Sequence, residues 1–511
     1  MISTWQGALD ALYGLTNWET RPPGTSLSFE LDRMRRLLTA LGEPQLRWRA
    51  VHVGGTNGKG STCAMIAAGL RAARHKVGLF SSPHLHTVRE RIQVDGRMIG
   101  EDEVIAWLNG HAALLASLEG LTTFEALTAL AFDHFAASGV DIAVIEVGLG
   151  GRLDTTNVLT APELCVIMPV GMDHAAVLGD TPAAIAGDKV GIFKRGRPVV
   201  AAPQLPEVMD VLREAAAQTP CQLLATETLA RWDTARSTRV GQRFRLRLAA
   251  LEVDGDAARE SAGPARRPNA DGVPAIAEAV RPAGSRAVVP SKPVKLPALE
   301  LELELSLAGD FQRANAATAA LALRVLGALG WRTDAAAMQA GLAAVRWPAR
   351  LERFESSVVL GGPGPLLVID GAHNPPAALA LAQALAERYP RWRRHWIVGC
   401  SADKDIRGVL AVLLADAASV TCIRAPHPRA LSVQALAGVA KEQLAVMRAP
   451  ADVTVAPAAD AAAALDRALA LAGPDDLVIA TGSIFAAAAV RLAWAERGGL
   501  AMPERDPEPV G

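Results

Sequence analysis

The sequence predicts an α/β protein with two domains, and three observations support this prediction. Short β-rich runs alternate with helical, alanine-rich segments, which is the pattern of a parallel sheet covered by helices. The alternation occurs twice, first within residues 50–171 and again from Leu366 onwards. A chain of 511 residues is also long enough to form two or three domains with buried cores.

The first series of strands lies in the N-terminal half of the chain. Buried strands ending in glycine, serine or an acid are predicted at "AVHVGG" (50–55), "KVGLFSS" (76–82), "DIAVIEVGLGG" (141–151) and "LCVIMPVG" (164–171). Between them, "TTFEALTALAFDHFAAS" (122–138) has the 3.6-residue spacing of a helix buried on one side. We therefore expect an N-terminal domain with a parallel sheet over residues 1–345.

The second series has the same order of strand, loop and helix and predicts a smaller, Rossmann-like α/β domain over residues 351–511. Its segments are "LLVIDGAHNPPAALALAQALAERY", "HWIVGCSADKD", "SVTCIRAPHPRA" and "DLVIATGSIFAAAAVRLAWA". The joint between the two series is "VRWPARLERF" (345–354), with residues 346–350 as the linker.

A change in composition separates the two series. Residues 250–298 are rich in Pro, Gly, Ala and charged residues and contain almost no aromatic residue. Such a segment buries too little apolar surface to offset its ordering entropy, so we predict a flexible insertion. The following "ALELELELSLAG" alternates strictly, as a half-exposed strand does.

Composition and charge exclude several classes of protein. The net charge of −1 gives no basic excess for nucleic acid, and no run of 18 apolar residues predicts a membrane span. The first residues lack the pattern of a secretory signal. Five scattered cysteines, never in a C-x-x-C pair, favour reduced thiols and argue against a zinc site. We expect a cytoplasmic protein, and a monomer.

A glycine-rich loop follows the first strand, in "GGTNGKGSTCAMIAAGLRAA" (54–73). It departs from the standard phosphate-binding loop, since Gly60 rather than Ser or Thr follows Lys59. It still supplies converging N–H groups, a lysine and a helix N-terminus, which together bind phosphate. A turn that only links strand to helix is the alternative. The order of residues favours an ATP-binding, P-loop ATPase-like domain.

The loop and eleven further motifs resemble the Mur-ligase superfamily and, within it, the branch of folylpolyglutamate and dihydrofolate synthases. The motifs, in family order, are "GTNGKGS", "SSPHLHTVRERIQVDG", "TTFEALTALAF", "IEVGLGGRLDTTNV", "GMDHAAVLG", "DKVGIFKRGRPVV", "NAATAALAL", "WPARLE", "IDGAHNP", "DKD", "PRA" and "TGS". The resemblance covers the chain except residues 250–298 and about the last ten. It implies Mur-ligase architecture, with ATP and folate bound by the N-terminal domain and glutamate by a C-terminal domain that closes over ATP.

The resemblance also implies a catalytic chemistry. Amide formation from a carboxylate requires activation, and phosphorylation by ATP with Mg²⁺ provides it. The implied Mg²⁺ ligands are Ser82, Glu146 and His174. The alternatives are an ordinary serine at a strand end for Ser82, an ion pair for Glu146 and a hydrogen-bonded core histidine for His174. An imidazole also matches the hard Mg²⁺ ion poorly. A second Mg²⁺ and a monovalent cation such as K⁺ are further candidate cofactors.

Two more catalytic residues follow from family position besides Lys59. Lys189 matches a lysine that the family commonly carbamylates, which would hold a second Mg²⁺; an unmodified lysine paired with substrate phosphate or Asp188 is the alternative. His373 shares a loop with Asp370. The predicted nucleotide-binding residues are Asn57, Gly58, Lys59, Gly60, Ser61, Thr62, Asn315, Arg350 and Asp370. Ala349 stands where the family usually has glycine.

The substrate residues are inferred from the pterin-binding stretches of bifunctional members. They are Thr122, Thr123, Phe124, Glu125, Leu153, Asp154 and Thr155, with Glu125 and Asp154 expected to hydrogen-bond the pterin ring. A single aromatic residue on a helix, such as Phe124, is more often a core residue than a ligand contact. "GLGGRLDTTN" (148–157) resembles enzymes that accept dihydropteroate, so the expected substrates are dihydropteroate, reduced folates and L-glutamate.

Four alternatives to this bifunctional ligase are considered. A monofunctional folylpolyglutamate synthase shares its chemistry. A switching P-loop NTPase requires a standard G-K-[ST] loop. A peptidoglycan-building relative would carry a domain before the ATP loop, for which a loop starting near residue 54 leaves no room. A non-catalytic folate-binding protein would not need the lysine, glutamate and serine of the site.

Overall fold

The computed structural model describes residues 1–17, 31–234, 236–238, 241–254, 292–449 and 452–507. Within these residues the larger sheet of the N-terminal domain has eight strands in the order β4-β3-β2-β5-β1-β6-β7-β8. Its strands are β1 (Arg49–Gly54), β2 (Val77–Phe80), β3 (Ile92–Val94), β4 (Arg97–Met98), β5 (Ile142–Glu146), β6 (Leu164–Ile167), β7 (Val199–Ala201) and β8 (Leu223–Ala225). Strands β3 and β4 are antiparallel and the others are parallel.

Helices cover both faces of this sheet. They are α1 (Trp5–Tyr13), α2 (Leu31–Ala40), α3 (Lys59–Ala72), α4 (Glu101–Ser117), α5 (Thr123–Ala137), α6 (Ala175–Leu178), α7 (Pro182–Lys189), α8 (Pro206–Gln218), α9 (Thr226–Leu229), α10 (Asp310–Ala328) and α11 (Ala335–Ala344), with 3-10 turns at Pro44–Leu46, Val88–Arg91, Thr155–Val158 and Val190–Ile192. None of the helices in the described part of the chain combines the length and apolarity needed to cross a membrane.

The helix after the glycine loop, α3, is buried on every side. Its residues 61–70 are all buried, between the sheet and the helices α10 and α11. Glycine permits this close packing, since a Cβ at Gly341 would lie 2.5 Å from the Cα of Gly69. The core therefore fixes the helix whose N-terminus lies at the glycine loop.

A second, antiparallel sheet of the N-terminal domain was not predicted. Its strands are β9 (Ala230–Trp232), β10 (Arg236–Ser237), β11 (Gln242–Leu248) and β14 (Leu299–Leu305). The strict alternation predicted for the last of these is confirmed, with leucines facing the core and glutamates facing solvent. The glutamates pair with arginines of β11, and such exposed pairs add little stability individually.

The predicted insertion was drawn too wide. Residues 251–253 and 294–296 pair as antiparallel strands β12 (Leu251–Val253) and β13 (Val294–Leu296), and Val253 is buried in the core. Both ends of the 250–298 segment are thus part of the fold, because their apolar residues face the core cluster. The remainder, residues 255–291, lies outside the described residues.

The C-terminal domain contains, in the part that the structure describes, a six-stranded sheet in the order β15-β16-β20-β17-β18-β19. Its elements are β15 (Glu352–Glu355), β16 (Leu366–Ile369), β17 (Arg393–Val398), β18 (Ala417–Cys422), β19 (Thr454–Pro457), β20 (Asp476–Thr481), α12 (Ser357–Leu360), α13 (Pro375–Arg388), α14 (Ile406–Leu413), α15 (Val433–Val446), α16 (Ala461–Leu471) and α17 (Ile484–Glu496), with a 3-10 turn at Leu414–Asp416. The edge strand β15 is antiparallel to its neighbour. The predicted two-domain α/β class is confirmed, but the joint at 345–354 is partly strand, since β15 begins at Glu352.

Candidate active site

A cavity of about 550 Å³ lies between the two domains. Of the residues predicted from the sequence as catalytic, nucleotide-binding, substrate-binding or metal-binding, all but Thr62 line this cavity. Thr62 is fully buried inside α3. The parallel strands of both sheets end at this cavity, which is where α/β folds place their ligands.

The glycine loop has the geometry of an anion site. Gly55 and Gly58 adopt positive φ angles of 134° and 84°, which L-residues with side chains rarely adopt. A Cβ at Gly55 would also lie 2.7 Å from Met168 Cβ. The Lys59 ammonium donates to the carbonyl of Thr56 at 3.2 Å, so the lysine folds back over the loop at the N-terminus of α3.

Helix α10 supports the loop from the opposite side. A Cβ at Gly58 would lie 2.7 Å from Asn315 Oδ1, so the loop backbone and the Asn315 amide are in contact. Asn315 donates to Gln312 Oε1 at 3.0 Å, and Gln312 donates to Ser61 Oγ at 3.3 Å. Gln312 was not predicted, and it ties helix α10 to the start of α3.

Glu146 and Ser82 meet at the ends of neighbouring strands. The Ser82 N–H donates to Glu146 Oε2 at 3.2 Å, and Glu146 is only 4 % exposed. Burial raises the pKa of Glu146, while the charges of Lys59, Arg350 and Arg91 oppose that rise. A buried carboxylate next to a hydroxyl is an oxygen donor pair of the kind that Mg²⁺ prefers.

His174 fits a metal less well. Its Nε2 lies 3.4 Å from the Lys404 ammonium, which would repel a cation bound there. Burial and the Lys404 charge lower the pKa of His174 to about 4, so the imidazole is neutral. The structure contains no group of three or more His, Cys, Asp or Glu residues arranged to hold a metal within its described ranges. Ser82, Glu146 and His174 therefore stay predicted metal ligands, and the Lys404 ammonium opposes a cation at His174.

Lys189, at the end of α7, is 5 % exposed and faces the cavity. Burial and the Lys59 charge lower its pKa to about 7, against the opposing charges of Asp188, Asp173 and Asp154. A substantial fraction of this side chain is therefore a neutral amine near pH 7.

Asp173 connects the domains and was missed in the sequence. It accepts from Lys404 Nζ at 2.5 Å and from Asn374 Nδ2 at 3.1 Å, and lies 3.4 Å from His373 Nε2. Burial alone would raise its pKa, but the His373 hydrogen bond and the Lys404 charge hold it well below its ordinary value. Asn374 also exchanges hydrogen bonds with Asn57 of the glycine loop at 3.1 Å. A run such as "GMDHA" gives no periodic signal that would identify this aspartate.

Asp370 holds the interdomain linker in place. Its two carboxylate oxygens accept from Leu351 N and Ala372 N, both at 2.8 Å. Ala349 and Leu351 have φ angles of 53° and 48°, and Arg350 between them donates to the Ala349 carbonyl. Positive φ explains why glycine suits position 349, and alanine there carries strain of about 1 kcal/mol. Burial raises the Asp370 pKa, and Arg350 opposes it.

The two carboxylates expected to bind pterin have other partners in this structure. Glu125 accepts from Arg33 Nε at 2.9 Å and from Thr122 N at 2.8 Å, which completes a capping box on α5. Asp154 accepts from Leu149 N at 2.8 Å, from Thr156 N at 2.9 Å and from the Thr156 hydroxyl. Both shape the cavity wall. Whether they also accept from the pterin ring stays a prediction, since each carboxylate lines the cavity and already accepts from neighbouring groups.

Phe124 lies between the core and the cavity. Its ring is 5.8 Å from that of Phe80, and a Cβ at Gly148 would lie 2.4 Å from its Cζ. It packs against the core and also lines the cavity. Arg33, which was not predicted, lines the same end.

We expect Asp154→Ala to lower stability and both glutamate additions together. The substitution leaves two backbone N–H groups unpaired in a buried loop, at about 1–3 kcal/mol each. A melting temperature several degrees lower, with similar losses for dihydropteroate and for a reduced folate, would support this role. A selective loss of the dihydropteroate reaction at unchanged stability would instead restore direct contact with the pterin. Asp210→Ala, at an exposed helical aspartate, is the matched control.

Comparison with known proteins identifies the family. The Mur ligase middle domain matches residues 53–247, and the Mur ligase, glutamate ligase domain matches residues 350–484. The chain is 33% identical over 445 residues to a dihydrofolate synthase/folylpolyglutamate synthase of Mycobacterium tuberculosis, covering 83% of this chain and 80% of the relative. The chain belongs to the Mur ligase family. Both family domains contribute residues to the cavity.

Two further comparisons concern the folylpolyglutamate synthase branch of the Mur ligases. A folylpolyglutamate synthase of Lacticaseibacillus casei is 35% identical over 410 residues, which cover 78% of this chain and 82% of the relative. The solved structure of the Mycobacterium tuberculosis folylpolyglutamate synthase complexed with ADP superimposes with a TM-score of 0.77, at 29% identity and 99% coverage of both chains. These matches confirm the resemblance inferred from the motifs.

Proposed function

We propose that this Mur ligase adds L-glutamate to dihydropteroate and to folylpolyglutamates, using ATP and an acyl-phosphate intermediate. The observation that carries the proposal is the composition of one cavity. A glycine loop with Lys59, the buried Glu146 beside Ser82 and the low-pKa Lys189 come from the N-terminal domain. The C-terminal domain supplies cationic and polar groups opposite them. The relatives named above carry one or both of these activities.

ATP would bind at the glycine loop, with its phosphates at the N-terminus of α3. Lys59 is placed to neutralise the outer phosphates, and Arg350 of the linker contributes charge from the other domain. Asn315 of the N-terminal domain and Asp370 and His373 of the C-terminal domain also line the cavity, as expected for a nucleotide held between the domains. We propose the domain roles 1–345 for ATP and folate, 346–350 as linker and 351–511 for glutamate.

The oxygen donors Ser82 and Glu146 would hold Mg²⁺, and a carbamylated Lys189 would add a further oxygen donor. The ion's chemical contribution is to neutralise the phosphate charge during transfer. The residues of the chain perform the rest of the reaction. They align the substrate carboxylate with the γ-phosphate and keep the cavity closed by the contacts of Asp173 with Lys404 and Asn374.

The reaction balances in two steps. A carboxylate oxygen of the substrate attacks the γ-phosphorus, the bond to ADP breaks, and an acyl phosphate forms. The neutral α-amine of glutamate then attacks the acyl carbon, phosphate leaves, and the amine loses a proton. The proton passes to the departing phosphate. His373 lies at the cavity wall as a donor, because its Nδ1 faces the Gly371 carbonyl at 3.0 Å and its Nε2 faces the Asp173 carboxylate at 3.4 Å.

The C-terminal wall offers a site for the carboxylates of glutamate. Lys404, Arg429, Ser401 and Ser483 line it, the last as N-cap of α17. Arg429 donates to Asp403 at 2.6 Å, while its buried Nε has no partner among the described residues. The Arg429 guanidinium and the N-terminus of α17 are two groups of this wall that attract an anion.

A phosphate-release assay tests the proposal directly. The enzyme, ATP, Mg²⁺ and L-glutamate are combined with dihydropteroate in one arm and a reduced folate in the other, and the products are identified by mass spectrometry. Glutamate-dependent release in both arms is the expected result. Release only with the reduced folate would make the enzyme a monofunctional folylpolyglutamate synthase, and release in neither arm would contradict the proposal.

Further properties follow from the same proposal. Omitting Mg²⁺, or a monovalent cation such as K⁺, from this assay tests both cofactors. We also propose a cytoplasmic monomer that binds small substrates and no nucleic acid, consistent with the net charge of −1. Sedimentation of the purified protein checks the monomeric state.

A further inference from the structure

The end of the chain crosses from one domain to the other. After α17 the chain packs Leu500 against the C-terminal core, and residues 504–506 then contact the N-terminal domain. The linker at 346–350 is therefore not the only connection that the described residues show. None of the motifs of the sequence covers this tail.

Asp506 makes the central contacts of the tail. Its Oδ1 accepts from the Thr87 hydroxyl at 2.7 Å and from Trp5 Nε1 at 3.1 Å, and its Oδ2 accepts from Val88 N at 2.9 Å. Its own N–H donates to the His86 carbonyl at 3.0 Å. Nearby, Glu504 accepts from Arg89 at 2.7 Å. These bonds fix the start of the 3-10 turn Val88–Arg91.

The turn that Asp506 contacts is part of a longer segment, residues 82–91, which also lines the candidate active site. Residues 82–91 begin with Ser82 and Pro83 and end with Arg91, and all three line the cavity. Arg91 donates to His84 Nδ1 at 2.9 Å, which joins the two ends of the segment. A displacement of the turn at Thr87 would therefore move both cavity-lining ends of the segment, Ser82 with Pro83 at one end and Arg91 at the other.

The segment is also in contact with the C-terminal domain. Leu85 packs against the core cluster of that domain, and His86 Nε2 lies 3.3 Å from Arg491 of α17. Arg491 is held by Glu352, which follows the linker, at 2.9 Å. The segment thus lies between the tail, α17 and the cavity.

We propose that the C-terminal tail is a second interdomain connection, in which Asp506 positions residues 82–91 and couples that wall of the cavity to the C-terminal domain. Asp506 is a positioning residue, since it touches the segment and not the cavity. The effect of Asp506 on turnover rests on the proposed ligase activity. Its effect on the position of residues 82–91 does not depend on that activity.

The experiment compares the full-length wild type with Asp506→Ala, Thr87→Val and the double variant. Hydrogen exchange of peptides covering residues 84–91 reports the position of the segment directly. We expect exchange about tenfold faster in either single variant, because the Val88 N–H loses its acceptor in Asp506→Ala and the Arg89 N–H loses its acceptor in Thr87→Val. Asp466→Ala is the matched control, since Asp466 makes an exposed ion pair with Arg497 elsewhere in the C-terminal domain.

Steady-state kinetics provide the second measurement. We expect kcat to fall about tenfold while KM for ATP changes less than twofold, because the glycine loop is not held by the tail. The double variant should lose no more than the worse single variant, as expected for groups acting through one contact.

The outcomes separate the two proposals. Unchanged exchange at 84–91 in Asp506→Ala would overturn the tail connection, whereas faster exchange with wild-type kcat would overturn its coupling to the cavity. If Asp506→Ala does not fold, Asp506→Asn decides the result, because Thr87 also caps its own turn through the Arg89 N–H. A wild type that turns over no pteridine substrate would contradict the proposed function, while the exchange measurement would still decide whether the tail holds the segment.

Discussion

Lys59→Ala should reduce ligation about a thousandfold while the protein keeps its fold. Removing one charged donor from a preorganised phosphate site typically costs two to three orders of magnitude in turnover. Within the described residues, the Lys59 ammonium donates to the Thr56 carbonyl of its own loop and not to a neighbouring element. Its loss therefore leaves the packing of α3 intact.

The measurement is ATP- and glutamate-dependent phosphate release, together with thermal unfolding. Lys441→Ala, at an exposed lysine of α15, is the matched control and should keep wild-type turnover. Lys59→Arg retains a charge but not the compact ammonium, so we expect partial loss. Wild-type turnover of Lys59→Ala would show that the glycine loop does not hold the reacting phosphates.

Local sequence signals were sufficient for the elements that bury apolar surface. The strands at the glycine loop and at Glu146, and the helix α5, follow directly from apolar runs and 3.6-residue spacing. The alternation of residues 299–305 gave the correct exposed and buried faces of β14. Such patterns reflect burial, which dominates the choice of secondary structure.

The second sheet and the strand pair at the insertion could not be predicted in the same way. Leu251–Val253 is only three residues long, and its partner Val294–Leu296 lies beyond a polar segment. Pairing across such a separation depends on tertiary contacts that a local pattern does not contain. Strand β11 is different, because it has the same length and the same alternation of buried and exposed residues as β14 and could have been predicted from its sequence.

In the candidate site, too, some residues could be predicted from the sequence and others could not. The family motifs selected residues that the structure brings to one cavity, with the exception of Thr62. They did not reveal Asp173, whose importance arises from Lys404 and Asn374 in the other domain. They also did not reveal that Glu125 and Asp154 accept from neighbouring N–H groups, because such local contacts leave no mark in a motif.

Lys189→Met should lower turnover about a hundredfold, and wild-type activity should depend on dissolved CO₂. The wild-type amine has a pKa of about 7, set first by burial and then by the Lys59 charge. Its neutral nitrogen can attack CO₂ and lose a proton to form a carbamate. Methionine keeps the length and apolar contacts of the buried side chain but forms no such group, and losing a preorganised charged group costs about this much.

The pH dependence has a definite sign. Protonation of Lys189 blocks carbamate formation, so activity in CO₂-limited buffer should fall as pH drops below about 7. The pKa is lowered on folding from 10.5 to about 7, so between these values the unfolded chain binds a proton that the folded chain does not. Stability therefore decreases as pH falls from 10.5 towards 7 and gains no further change from this group below 7. Lys189→Met should lose that slope.

Two measurements check the prediction independently of each other. Carbonate-free buffer should lower wild-type turnover, added bicarbonate should restore it, and Lys189→Met should respond to neither. Carbon-13 NMR with labelled bicarbonate should show a carbamate signal in the wild type that is absent from the variant. Lys194→Met is the control, since that half-buried lysine donates to Asn157 Oδ1 at 2.7 Å and does not line the cavity. Full activity without CO₂, together with a large loss in Lys189→Met, would mean that an unmodified Lys189 acts as a cation beside Asp188 or the substrate phosphate. In that case wild-type turnover should be unaffected by bicarbonate at every pH, because charge neutralisation by the ammonium needs no CO₂.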